Sequence, residues 1–436
     1  MKLLYADNFR GFKDTIIPLS QVNFFVGENS AGKSSILGLI KLLSSRQLWQ
    51  DSHAYDDELM WESFDDFVSA NAKNKKRFTI GYGKEERSFD NDTRTSFVQS
   101  VLISFMSDKG RARVSKITWN GIKSIFTIRF VNTRMYLRVD QRKEQEESIE
   151  EGIPHLLEAL DFHNAFIKGG KKIESSVTPS FFPLMMLPSA FRDIPEMDLE
   201  KTGVFYLDKL YDSLVWLAPI RTSPRRSYDG TGKEFSSDGK HTPYQLKSIL
   251  GNRRENRNIL DRLESFGKDS HLFEDLEVKK FGASATDPFE LSAKINGSNL
   301  RINNVGYGVS QSLPIVIEAL NSDDGSTLCI QQPEVHLHPR AQASLANVIL
   351  DTAIDHRKNY IIETHSDFCI DRYRILLRRS STNSPTIKTQ IIFFENRKDG
   401  NVAHVMKLGE RGELPKEVPN SYREFFIREE MDLLGL

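Results

Sequence analysis

The sequence predicts an α/β fold built around a phosphate-binding loop. Two observations predict it. Residues 22–35 read Val-Asn-Phe-Phe-Val-Gly-Glu-Asn-Ser-Ala-Gly-Lys-Ser-Ser, an apolar strand running into a G-x-x-x-x-G-K-[ST] loop and then a helix. In the last third, short apolar runs at 327–330 and 360–362 alternate with helical stretches, the pattern of buried parallel strands.

Each part of the loop has a physical reason. Gly27 and Gly32 let the backbone turn tightly and approach phosphate oxygens. The N–H groups of Glu28, Asn29, Ser30 and Ala31 can form an anion nest, and the helix that follows points its positive end at the same place. Lys33 supplies a point charge for the β- and γ-phosphates, the Ser34 hydroxyl is a ligand for Mg²⁺, and Ser35 opens the apolar helix to Leu43. The chain is therefore expected to bind a nucleoside triphosphate, ATP first among them, with Mg²⁺.

Composition narrows the class. There are 436 residues, enough for two or three domains, with a net charge of −1. That balance gives no basic field for non-specific polyanion binding. Two cysteines, Cys329 and Cys369, make no disulfide framework. No signal-peptide pattern follows Met1, and no apolar run reaches the roughly 20 residues that span a bilayer. A cytoplasmic protein without membrane contact is expected.

Taken in order, Lys2–Tyr5 and Thr15–Leu19 read as strands flanking the turn Asn8-Phe9-Arg10-Gly11-Phe12. Arg10 can hydrogen-bond nucleotide there, and Phe12 can stack on adenine. Strands follow at 77–82, 100–107, 114–119, 123–131 and 135–139, an antiparallel region with a hairpin signal at Asn120-Gly121. Residues 140–151 are nearly all charged or polar, a solvated helix or linker. Residues 154–215 read as a largely helical insertion. Arg221, Arg225 and Arg226 fall within six residues and can touch phosphate. Residues 244–266 read as a helical stretch carrying Arg253, Arg254 and Arg257.

A helix opens at Gly306-Tyr307-Gly308-Val309-Ser310-Gln311 and runs to about Leu320. The strand at 327–330 ends in Gln331-Gln332-Pro333-Glu334-Val335-His336-Leu337-His338-Pro339, followed by a helix over 340–355. The strand at 360–362 ends in Glu363-Thr364-His365-Ser366. A final hairpin over 388–395 and 402–408 turns at Asp399-Gly400.

These motifs, in this order, resemble the ABC-type ATPase heads of the RecF/SMC and OLD (overcoming lysogenization defect) group. The Asn-Phe-Arg-Gly-Phe opening, Ala218-Pro219-Ile220-Arg221 and Gly409–Leu414 fit the same group. The resemblance covers residues 1–82 and 215–436. It implies an ABC-type P-loop ATPase head, with an antiparallel β region and a mostly helical mid-chain insertion. The expected divisions are 1–139 (N-terminal ATPase half), 140–215 (insertion) and 216–436 (C-terminal ATPase half). The resemblance makes Gly27–Ser35 the triphosphate and Mg²⁺ site. Gly308, Val309, Ser310 and Gln311 become the signature segment that meets the γ-phosphate of ATP on another protomer, so a homodimer or higher oligomer is implied. On the residues alone, Ser310 can equally be a helix N-cap. Gln331 and Gln332 match the acidic pair after the Walker B strand, and His365 matches the switch histidine that senses γ-phosphate. His336 and His338 have metal-ligand spacing, for which the resemblance substitutes a structural role.

Two departures matter. Gln331 and Gln332 carry no charge and take no proton at neutral pH. The catalytic carboxylate is then expected at Glu334, with Glu363 next, and Gln332 can orient water as a glutamine does in some GTPases. ATP binding is supported, and hydrolysis is expected to be slow. OLD proteins also carry a Toprim nuclease domain, while about 70 residues follow His365 here. By resemblance to stand-alone ATPases of the Septu and PARIS anti-phage types, the expected partner is a separate nuclease or effector chain. The competing readings are an ATP-gated scaffold without turnover, and a RecF-like DNA repair ATPase that contacts nucleic acid.

Overall fold

In the computed structural model the described residues are 2–51, 53–72, 75–90, 93–121, 124–132, 134–141, 152–165, 171–173, 209–230, 232, 234–380 and 387–424. They form two compact units. One comprises residues 1–20, 28–212 and 394–403; the other comprises 21–27, 213–393 and 404–436.

Strands Lys2–Asp7 (β1) and Thr15–Leu19 (β2) pair antiparallel, with Leu4 opposite Ile17. Strand Val22–Gly27 (β3) is buried at every residue and leads through the loop into helix Lys33–Ser44 (α1). The polar stretch that follows contains a short helix, Arg46–Gln50 (α2), and a two-residue strand, His53–Ala54 (β4). Then come Arg77–Asp90 (β5), Thr93–Asp108 (β6), Arg111–Asn120 (β7), Ser124–Val131 (β8) and Arg134–Gln141 (β9). All five expected strands are present, most of them longer than their apolar alternation. The β7–β8 turn falls at Asn120-Gly121, where the Gly121 N–H reaches Ser124 O at 3.0 Å. Helix Gly152–Ala165 (α3) and strand Lys171–Ile173 (β10) follow. The first unit's sheet runs β10-β9-β8-β7-β6-β5-β1-β2, with β4 added beside β7. Most of the expected insertion over 140–215 lies outside the described residues, as do 142–151 of the charged segment.

The second unit adds Leu214–Leu217 (β11), Thr242–Gly251 (α4), Arg257–Ser270 (α5), Asp275–Lys280 (β12), Phe289–Ile295 (β13) and Ser298–Arg301 (β14). It continues with Tyr307–Asn321 (α6), Thr327–Gln331 (β15), Pro339–Asp355 (α7), Asn359–Glu363 (β16), Asp367–Ser380 (α8), Thr389–Arg397 (β17) and Gly400–Lys407 (β18), residues 394–403 of these last two strands being counted in the first unit. Its main sheet runs β11-β15-β16-β3-β17-β18, with β11, β15, β16 and β3 parallel. β3, β15 and β16 read as continuous apolar runs because helices cover a parallel sheet on both faces. Their Val22, Phe24, Leu328, Ile330, Tyr360 and Ile362 sit in one core with Leu313, Val316 and Leu345 from the helices.

Two expectations are corrected. The helical stretch 244–266 is two helices, α4 and α5, broken over 252–256. The Asn256 side chain donates back to the carbonyls of Ile249 and Asn252, competing with a continuous helix. The three-stranded sheet β12-β13-β14 was not expected at all, although Asn296-Gly297 turns its hairpin with both residues at positive φ (50° and 75°). Among the described residues no helix is long and apolar enough to cross a membrane.

Candidate functional site

The phosphate loop begins where β3 ends. Gly27 has φ 135°, Ser30 62° and Gly32 97°, values that turn the backbone away from both strand and helix. Gly32 has a second requirement. A Cβ there would stand 2.5 Å from the ring of Phe12, which is fully buried and packs edge-to-face on Phe394. Phe12 is therefore packing under the loop. That corrects its reading as an adenine platform.

Lys33 is buried and donates Nζ to Glu28 O at 2.7 Å, so its charge already lies against the loop's own carbonyl. Arg10 reaches Ser35 Oγ with Nε at 3.1 Å, donates Nη1 to Asp66 O, and lies over the Trp61 ring. Burial lowers the pKa of Arg10, with Asp66 opposing. It thus buttresses the start of α1 from the side.

The second cluster stands at the carboxyl ends of β15 and β16, the edge of a parallel sheet where such folds place ligands. β3 joins it in the sheet, Phe25 opposite Glu363, with Thr364 N–H bonded to Phe25 O. The strand that feeds the phosphate loop therefore ends beside these residues. Gln331 donates Nε2 to Glu363 Oε2 at 3.0 Å. Gln332, at φ 44°, turns the chain and gives its N–H to Glu363 O at 2.7 Å. Glu334 accepts Thr364 Oγ1 on one oxygen (2.8 Å) and the His365 N–H on the other (2.7 Å). Its carboxylate thus fixes Thr364 and His365. Thr364, which the sequence placed inside the motif without a role, joins Glu334 to His365.

Helix α6, which carries the expected signature residues, starts at Tyr307, with Gly306 at its N-cap and no side-chain cap. Ser310 lies inside the helix and donates to Tyr307 O at 2.9 Å, so the N-cap alternative for it is excluded. A Cβ on Gly308 would come within 3.2 Å of His336 O. Gln311 is buried and turns inward, its Nε2 reaching Arg221 O at 3.3 Å. Arg221, read from sequence as a phosphate contact, is only 4% exposed and donates Nη2 to Gln331 O at 2.9 Å. Arg225 and Arg226 are exposed. His338 caps α7 through Arg340 N, His336 lies near the Tyr307 ring, and no group of three metal-ligating side chains occurs among the described residues.

The loop residues themselves are of the kind that ATP and Mg²⁺ need. The positive-φ loop is an anion nest. Ser34 offers one oxygen, and Mg²⁺ commonly takes one or two protein ligands beside substrate phosphates.

The AAA ATPase domain family matches residues 1–370. Comparison with curated proteins returns no match. Among solved structures the chain is similar to an SMC head bound to the C-winged helix domain of ScpA, at 12% identity and TM-score 0.45, covering 93% of this chain and 98% of that one. It is similar to the SMC head domain from Thermotoga maritima at 11% identity and TM-score 0.39 (92% and 97% covered). A structure of the recombination mediator protein RecF follows at 12% identity and TM-score 0.34 (93% and 97% covered).

Proposed function

The chain belongs to the AAA ATPase domain family, and on that premise we propose that it binds MgATP at residues 27–35 and hydrolyses it slowly. In this reading ATP joins two or more copies, Gly308, Ser310 and Gln311 belonging to the segment that meets the nucleotide of a neighbouring copy. The assembly works in the cytoplasm as the nucleotide-controlled sensor or scaffold of an anti-phage defence complex, with a separate nuclease or effector chain. Mg²⁺ would neutralise the developing phosphate charge, with Ser34 as its protein ligand.

The observation that supports this reading is the fastening of Glu334 to Thr364 and His365. A carboxylate tied to the switch segment can follow γ-phosphate through His365. It can also serve as the base that Gln331 and Gln332 cannot be, with Gln332 orienting water.

The same fastening favours a second reading. Both Glu334 oxygens already accept hydrogen bonds, so the residue can act as a strut alone and ATP as a ligand that is not turned over. A RecF-like role on DNA is a third. It predicts binding that weakens with rising salt.

Steady-state hydrolysis and ATP binding separate these. Lys33→Ala is expected to weaken ATP binding about 30-fold or more, since it removes a charge-assisted contact. Glu334→Gln is expected to retain binding and lower turnover about 100-fold or more. His365→Ala should lower turnover with little change in affinity. Turnover in the intact protein no higher than in Lys33→Ala, with Glu334→Gln silent, would leave ATP as a gating ligand only.

A further inference from the structure

Arg221 has no place in the reading above, and its surroundings are unusual. It follows β11 in a loop, yet it is almost wholly buried. Its Nη2 holds the carbonyl of Gln331, while its own carbonyl is held by the Gln311 amide of the signature helix. Nε and Nη1 have no hydrogen-bond partner among the described residues. Burial pulls the guanidinium down to about 10, with Glu334 pulling the other way, so it stays charged at neutral pH and lies within the field of that carboxylate. An isolated buried charge is costly, and an apolar side chain of similar volume would pack there without that cost. An arginine at this place therefore calls for a reason other than stability.

The contacts supply one. Gln311 grips Arg221, Arg221 grips Gln331, and Gln331 grips Glu363. Gln332 also bonds Glu363, and the next carboxylate, Glu334, holds Thr364 and His365. The chain runs unbroken from the signature helix to the edge of β15, and the edge of β16 carries it to His365. Arg221 is the link in it that joins the helix to the strand edge.

We propose that Arg221 is a positioning residue that couples the signature helix to the Glu334–His365 edge, so that what the helix contacts is felt by the catalytic carboxylate. The proposal rests on ATP binding at this site, but not on turnover.

The test is a double-mutant cycle on ATP affinity in the full chain, with Gln311→Ala and Glu334→Gln singly and together, in Arg221 and Arg221→Met backgrounds. Non-additivity of at least threefold in Kd is expected with Arg221, and additivity within twofold with Met. The melting temperature of Arg221→Met should equal or exceed that of the parent, because a buried charge has gone. Arg221→Lys keeps the charge without the planar fork. It should fold like the parent and lose at least half of the non-additivity, so the idea stays testable even if the Met variant fails to fold. Additivity in the parent background, or non-additivity that survives in both Arg221 variants, would overturn the coupling. Turnover measured on the same samples judges the hydrolysis reading separately, and ATP binding unaffected by Lys33→Ala would sink the site itself.

Discussion

Both units bury polar side chains, and they differ in where the largest polar cluster stands. In the first unit the polar groups lie in the middle of an antiparallel sheet, under α3. His163 meets Thr118 Oγ1 with Nδ1 (2.7 Å) and Ser104 Oγ with Nε2 (2.8 Å), and Lys116 Nζ caps the His163 carbonyl at 2.6 Å. Thr79 and Thr127 extend the patch. In the second unit Gln390 donates to Asn23 inside the sheet at 2.8 Å, but the candidate site residues gather where β15 and β16 end. The difference teaches what each patch is for. A polar group in mid-sheet has its neighbours fixed by the ladder on both sides, so it can only specify how α3 sits. A polar group at a strand end adjoins backbone that leaves the ladder, so it can meet a ligand and respond to it. Mutations should therefore divide, those in the first patch changing stability and those around the loop and strand ends changing nucleotide chemistry.

The largest effect expected from that division is at Gly32. Alanine there must adopt φ near 97° and place a methyl 2.5 Å from the buried Phe12 ring. The backbone conformation alone costs about 1–3 kcal/mol for a residue with a Cβ, and the ring has no free direction to yield. Loss of ATP affinity of about 100-fold or more is expected. An isothermal titration showing Gly32→Ala within twofold of the parent would remove the loop from the site and the comparison with it.

A middle-sized effect is expected at His163. Leucine in its place removes one hydrogen bond from each of the Thr118 and Ser104 hydroxyls, which keep Thr127 and Thr79 as partners, at about 0.5–1.5 kcal/mol for each bond lost. The urea midpoint of the first unit should fall, while ATP affinity and turnover stay within twofold. A parallel fall in ATP affinity would mean that the mid-sheet patch serves the nucleotide after all.

The same contrast explains what could be read from sequence. Gly27, Lys33 and Ser34 were legible because phosphate chemistry demands those residue types at that spacing. Glu334, Glu363 and His365 stood out as candidates because they lie at or just after the ends of buried strands, where such residues are conspicuous. Arg221 was visible only as one of three arginines that could touch phosphate. What buries it is contact with Gln311 and Gln331, about 100 residues away in the chain, which a linear reading does not contain. Phe12 was read as able to stack on adenine for the same reason; only its contact with Gly32 shows that the ring lies beneath the loop. The strands of the large antiparallel sheet were found by their alternation, but not the role of His163, whose partners are ordinary strand hydroxyls. The sheet β12-β13-β14 was missed because β14 is exposed at every residue and shows no apolar period, which left only the turn at Asn296-Gly297 to mark it.

The smallest expected effect compares the two units through one lysine each. Burial, together with Arg77 and Arg129, pushes Lys116 down from 10.5 to about 8. Burial pushes Lys358 to about 8 as well, against the pull of Asp324, Glu318 and Asp323, and its ammonium bonds Ser322 O at 2.7 Å. Between pH 8 and 10.5 each lysine is protonated in the unfolded chain and neutral in the folded one. The unfolded state then binds more protons, so stability rises with pH across that window. The rise is about 1 kcal/mol for each lysine after allowance for solvent screening. Near pH 10 it is opposed by Tyr5, Tyr360 and Tyr373, whose burial raises their pKa so that they stay protonated while unfolded tyrosine ionises. Urea midpoints at pH 7.0, 8.5 and 9.5 should therefore climb in the parent. Lys116→Met should flatten the climb in the first unit alone, and Lys358→Met in the second alone. A single substitution that flattens both would show that the units unfold as one. In that case the His163 and Gly32 effects could not be assigned to separate regions by stability, and only the nucleotide measurements would keep them apart.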